Sequence, residues 1–152
     1  MVIYRVGKSK WANDVSGEGS RLYGGRWNHR GTPCIYTSES RALAVLEYTV
    51  NTNIDDMPRA LSITTIEIPD DAIIVQPIPS LPGNWQEYPA PSSTKDYGTD
   101  VLKANAHLII RFPSTIIPQE FNYILNPLHH RSAELKIINV EDFIYDVRIK
   151  NV

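Results

Sequence analysis

LYGGRWNHRGTPCIYTSESRALAVLEYTV, residues 22–50, decides how the rest of this 152-residue chain is read. Ala, Leu and Glu dominate residues 39–50 and no Gly or Pro interrupts them, so a helix is expected there. Ser38 is the expected N-cap, with Glu39 in the first turn where negative charge suits the helix dipole. Leu43, Leu46, Glu47 and Val50 fall at i, i+3, i+4 and i+7 and so share one face. Leucine and valine should turn that face to the core and carry the carboxylate with them. A buried carboxylate without partners is costly, so Glu47 must meet hydrogen-bond donors or a wet cleft. The bland alternative is that it lies near the helix end and bends out to solvent.

Upstream, Gly24-Gly25-Arg26-Trp27-Asn28 raises a second question. Paired glycines let the backbone approach a ligand closely or adopt positive φ. Arg26 offers a planar fork of donors suited to phosphate or pyrophosphate. The competing reading is a tight turn with a surface arginine and a core tryptophan. The motif is no P-loop, lacking the Gly-Lys-Ser/Thr end, and no dinucleotide fingerprint, lacking the third glycine and the helix start. PCIYT (residues 33–37) reads as a strand feeding the helix, which would bring Tyr36 and Glu47 to one cleft; a core tyrosine is the alternative. Arg5, on an expected first strand at residues 2–6, either faces an anion or lies on the solvent side.

Further strands are expected at residues 61–68, 72–76, 107–112, 121–125, 134–140 and 143–149. Residues 77–93 hold five prolines and are expected to form a long surface loop, followed by a short helix within residues 94–106. Strands running consecutively late in the chain, with about two helices, indicate an α+β fold with a largely antiparallel sheet.

The length suits one domain, residues 1–152, and the 42% hydrophobic and 21% charged content is that of a globular protein. A net charge of −2 argues against direct nucleic-acid binding. No signal peptide and no membrane-spanning run is read, and a cytoplasmic location is expected. Cys34 has no CxxC companion and His29, His107, His129 and His130 lack ligand spacing, so no metal site is expected. Cys34 reads as core, a Cys–His nucleophilic pair being the alternative. Ser114 and Ser132 carry no signal by themselves.

In this order the segments resemble the RES domain family, named for an arginine, a glutamate and a serine. The pattern shows as YRV (residues 4–6), GGRWN (24–28), G-x-P-x-x-Y-T-S (31–38), ALAVLE (42–47), PS-x-x-x-P (113–118) and N-x-x-x-NP-x-H (122–129). The resemblance implies an ADP-ribosyltransferase-like fold around an NAD cleft. It implies a toxin partnered with an Xre-type helix-turn-helix antitoxin, and a toxin homodimer within that complex. Carried over by motif, Arg26, Tyr36, Glu47 and Ser114 are the catalytic candidates, with Ser132 the other candidate for the serine. Arg5, Gly25, Asn28 and Ser38 are the candidate substrate-binding residues. NAD enters as substrate, with no separate cofactor.

The implied reaction breaks the nicotinamide–ribose bond through an oxocarbenium-like state, passing ADP-ribose to water or phosphate as a glycohydrolase or phosphorylase does. Glu47 would stabilise the ribosyl cation, Tyr36 would stack on nicotinamide or ribose, and Arg26 and Arg5 would grip the pyrophosphate. Ser114 would bond the nicotinamide amide or orient the phosphate end. Transfer to a protein is the alternative within the same chemistry. Outside it stand a metal-independent ribonuclease using His107, His129 or His130 with Glu47, and a non-catalytic nucleotide-binding module.

Overall fold

Side chains alternate across a strand, and two neighbouring strands use that alternation to build two separate cores. On β5 (Ile109–Pro113), Ile109 joins a cluster with Ile3, Ile66 and Leu125, whereas Ile110 and Phe112 join one with Trp27, Trp85 and Leu102. On β6 (Phe121–Leu125), Tyr123 and Leu125 go to the first cluster and Ile124 to the second. Both faces of the sheet are therefore covered at β5 and the C-terminal half of β6.

The computed structural model describes residues 1–150. In chain order the remaining elements are β1 (Val2–Lys8), α1 (Glu18–Tyr23), β2 (Ile35–Ser38), α2 (Arg41–Asn51), β3 (Leu61–Glu67), β4 (Ile73–Val75), α3 (Ser92–Ala104) and β7 (Lys136–Phe143). The seven strands form one sheet in the order β4-β5-β6-β2-β1-β3-β7, with β4–β5 parallel and every other pairing antiparallel. This is the α+β, largely antiparallel architecture expected.

The helix bearing Glu47 starts two residues later than expected. Ser38 and Glu39 stay extended because both remain attached to β6: Ser38 pairs with Asn122, and the Glu39 N–H donates to the Phe121 carbonyl at 3.1 Å. Ser40 is the N-cap instead, its hydroxyl oxygen accepting the Leu43 N–H at 3.0 Å. Leu43 is buried as expected, whereas Val50 is exposed, so the helix turns the Glu47 face to the edge of the core.

The two strands expected at residues 134–140 and 143–149 are one, β7. It pairs with β3 from Glu67 back to Leu61, with one register shift between Thr65 and Ile66 that leaves Ile138 unpaired, and ends at Phe143, where β3 has no more residues to offer. Val147–Lys150 is a turn of 3-10 helix. The short α1 falls in a segment read as irregular; it is six residues long and bounded by Gly17 and Gly24, both at positive φ. The proline-rich loop runs to Pro91 and is anchored by Leu81 and Trp85, both buried in the second core.

Candidate active site

A cleft of about 680 Å³ opens between α2 on one side and the segments around residues 23–27 and 86–90 on the other. Its floor is the face of β1, β2 and β6 that carries Tyr4, Tyr36, Ser38 and Asn122. Register puts these polar groups together: Tyr4 lies opposite Ser38, and Ser38 opposite Asn122.

Glu47 reaches into this cleft from α2, and its Oε1 is held twice. Asn122 Nδ2 donates to it at 2.6 Å and the Ser114 hydroxyl at 2.8 Å. Ser114 is fully buried, and its oxygen accepts the N–H groups of Ile116 and Ile117 at 3.1 and 3.2 Å. A hydroxyl has one proton, and with those two amides on its oxygen the proton is directed to Glu47. Asn122 is oriented in turn by Ser38, whose hydroxyl donates to Asn122 Oδ1 at 2.7 Å. Among the described residues nothing donates to Oε2 of Glu47, so the carboxylate presents one oxygen to the cleft.

Tyr36 forms part of the floor. Its hydroxyl donates to Asn28 Oδ1 at 2.6 Å and accepts the Trp27 N–H at 3.0 Å. Burial pushes this phenol well above its ordinary pKa, so it stays neutral. Asn28 is fully buried behind it, with Nδ2 donating to the carbonyls of Ser20, His29 and Thr32. The structure thus makes Asn28 a support for Tyr36 and places it away from the cleft lining. Gly25 earns its place here: a Cβ on it would lie 2.7 Å from the Tyr36 hydroxyl oxygen. Trp27 stacks on Phe112 with centroids 4.0 Å apart, fixing the segment over the sheet.

Arg26 lies across from Glu47. Its Nη1 donates to the carbonyls of Trp85 at 3.0 Å and Glu87 at 2.8 Å, tying the proline-rich loop to the glycine segment. Burial lowers its pKa and the Glu47 carboxylate opposes that shift, so the guanidinium remains charged. Nε and Nη2 have no partner among the described residues. Arg5 also lines the cleft, but its guanidinium is engaged elsewhere: Nη1 donates to the Asp14 carbonyl at 2.8 Å, and Nη2 to those of Ala12 and Trp11 at 3.0 and 3.2 Å. Arg5 holds the 11–14 loop and does not join Arg26.

Ser132 lies in a 3-10 turn and has no contact with Glu47, which makes Ser114 the serine of this arrangement. His29 pairs with Asp96 at 2.6 Å on the surface; His129 is buried, accepting the Arg131 N–H on Nδ1, and burial lowers its pKa. None of the four histidines lines the cleft. Asn122 is the site residue that received no role from the sequence. Its signal was there: on β6 it shares a face with the buried Ile124, so a carboxamide points where an aliphatic group belongs.

Among the described residues no helix is long and apolar enough to cross a membrane. The RES domain model matches residues 2–148. A protein named Toxin Res from Yersinia enterocolitica is 36% identical over 99% of this chain and all of its own length. One named Prs ADP-ribosylating toxin, from a Sphingobium strain, is 33% identical over 91% of this chain and 88% of its own. A crystal structure of the Mycobacterium tuberculosis MbcT-MbcA toxin–antitoxin complex contains a chain that superposes with a TM-score of 0.74. That likeness covers 94% of this chain and 84% of the other at 20% identity, and it shows a shared fold. With the model match spanning nearly every residue, and relatives at this identity over most or all of their length, the chain belongs to the RES domain family.

Proposed function

We propose that this chain is the toxin of a toxin–antitoxin pair, and that it destroys NAD by cleaving the bond between nicotinamide and ribose. The observation that carries the reading is the Glu47 carboxylate, locked on one oxygen by Asn122 and Ser114 with the other free toward a cleft that also holds Arg26. As the C–N bond breaks, its electron pair leaves with nicotinamide and neutralises the pyridinium. Positive charge then develops on the ribose, and a fixed anion beside it lowers the barrier without reorganising. Water supplies an oxygen to the ribosyl carbon and loses its proton, giving ADP-ribose; inorganic phosphate in place of water gives the phosphorylated product. Nε and Nη2 of Arg26 match the diphosphate, and Tyr36, neutral and rigid, supports the ribose or nicotinamide ring. Ser114, enclosed and bonded to Glu47, acts on substrate through that carboxylate.

Transfer to a protein is the second reading, favoured by the Sphingobium relative named as an ADP-ribosylating toxin. The name of the M. tuberculosis complex supports an antitoxin partner, and the names of the relatives support the toxin role. An Xre-type antitoxin, a toxin homodimer and action in the cytoplasm follow from the family resemblance and belong to the same proposal. Purified protein incubated with NAD should release nicotinamide, and Glu47→Gln should abolish that release while remaining folded. Free ADP-ribose, a phosphate adduct or labelled protein then identifies the acceptor. Wild-type protein that leaves NAD intact, or a Glu47→Gln variant as fast as wild type, ends the proposal.

A further inference from the structure

We propose that Tyr23 and Tyr88 form a purine-stacking end to this cleft and hold the adenine of the dinucleotide; the inference rests on the NAD reading above. Among the described aromatic side chains these two are the most exposed, at 76% and 83%, yet both line the cleft. Aromatic rings ordinarily gain by burial, so two left in water at one opening call for a ligand to cover them.

Their position follows from Arg26. Tyr23 directly precedes Gly24-Gly25-Arg26, and Tyr88 directly follows Glu87, whose carbonyl accepts from Arg26 Nη1 at 2.8 Å. One guanidinium therefore ties together the two segments that carry the rings. Exposure rises along the cleft, from the fully buried Ser114 behind Glu47, through half-buried Arg26, to the two tyrosines. NAD has the same order of chemistry: the scissile riboside, the diphosphate, then the adenosine. With the first at Glu47 and the diphosphate at Arg26, the second nucleoside falls at the outer end. Stacking on a purine face needs no hydrogen-bond code, and a phenol ring provides it. Lys95 also lines the cleft and adds a cation for the phosphates.

Adenosine monophosphate tests this without any turnover. Titration calorimetry should show it binding the wild-type protein, with Tyr23→Ala and Tyr88→Ala each weakening it about tenfold and the phenylalanine variants keeping most of the affinity. In parallel, the ratio of kcat/KM for NAD over nicotinamide mononucleotide, which lacks the adenosine half, should fall by a similar factor in the alanine variants. Being mostly solvent-exposed, both side chains can be truncated without unfolding the chain. Unaltered affinity for adenosine monophosphate in the double alanine variant, or none in wild type, overturns the proposal. Binding that depends on both rings in a protein that leaves NAD intact supports the purine site and removes the cleavage reading instead.

Discussion

Asn122 Nδ2 donates to Glu47 Oε1 at 2.6 Å, from a strand on the sheet floor to a helix above it. A glutamate has three rotatable bonds and sweeps a wide arc when unpartnered. This bond and the one from Ser114 select a single rotamer, and Ser38 fixes which end of the Asn122 amide faces the carboxylate. The arrangement places an anion in advance of the charge it would meet, which is where most electrostatic catalysis originates.

Replacing Asn122 by alanine should therefore lower kcat for nicotinamide release by about 10- to 100-fold with a smaller change in KM. Asn122→Asp should do something different. Two carboxylates at this distance resist being ionised together, so the acid limb of the pH–rate profile should move to higher pH than in wild type. Identical profiles in the two proteins would mean that the contact does not orient the reacting group.

Arg26→Lys should weaken NAD binding about tenfold or more, measured in a Glu47→Gln background that does not turn substrate over. An ammonium cannot bond the Trp85 and Glu87 carbonyls and still present a bidentate fork to a diphosphate. Undiminished affinity would remove the diphosphate from this residue.

Much of this site was readable because local rules and tertiary packing agree around it. Phe121–Leu125 is rich in aromatic and β-branched residues and is a strand with the bounds expected. Glu47 in an apolar stripe signalled a cleft because burying it unpartnered is prohibitive. Other features depend on partners far away in sequence. Ser38 and Ser40 are equally good caps by type, and only the attachment of Ser38 and Glu39 to β6 decides between them. Arg5 looks like an anion ligand until the 11–14 loop supplies three carbonyls for it. The end of β7 is set by the length of β3, which no reading of residues 134–149 contains.

Gly98 gives a prediction whose sign opposes helix propensity. It sits inside α3, where alanine would ordinarily gain about 1 kcal/mol. A Cβ there would lie 2.0 Å from the Trp27 carbonyl oxygen, because the helix packs backbone to backbone on the Arg26–Trp27 segment. Gly98→Ala should destabilise the protein by about 1–3 kcal/mol in denaturant unfolding and raise KM for NAD as that segment shifts. A stabilised variant would show that the close approach is not maintained in solution.

Cys34 separates a core thiol from a nucleophile. It has no exposed surface, and burial pushes its pKa from 9.0 up to about 12, with the neighbouring Tyr36 and Ser20 side chains opposing that rise only in part. A thiol so held is neutral at physiological pH and a poor nucleophile. Iodoacetamide at pH 8 should leave the native protein unmodified and label it only on unfolding, and Cys34→Ala should retain nicotinamide release. The same shift couples to stability. Above pH 9 the unfolded thiol loses its proton while the folded one keeps it, so the unfolded state binds fewer protons and stability falls as pH rises toward 12. Relative to Cys34→Ala, wild type should lose about 1.4 kcal/mol per pH unit in that window. Parallel pH dependences for the two proteins, or rapid alkylation of the native chain, would place the thiol in solvent and reopen a nucleophilic role for it.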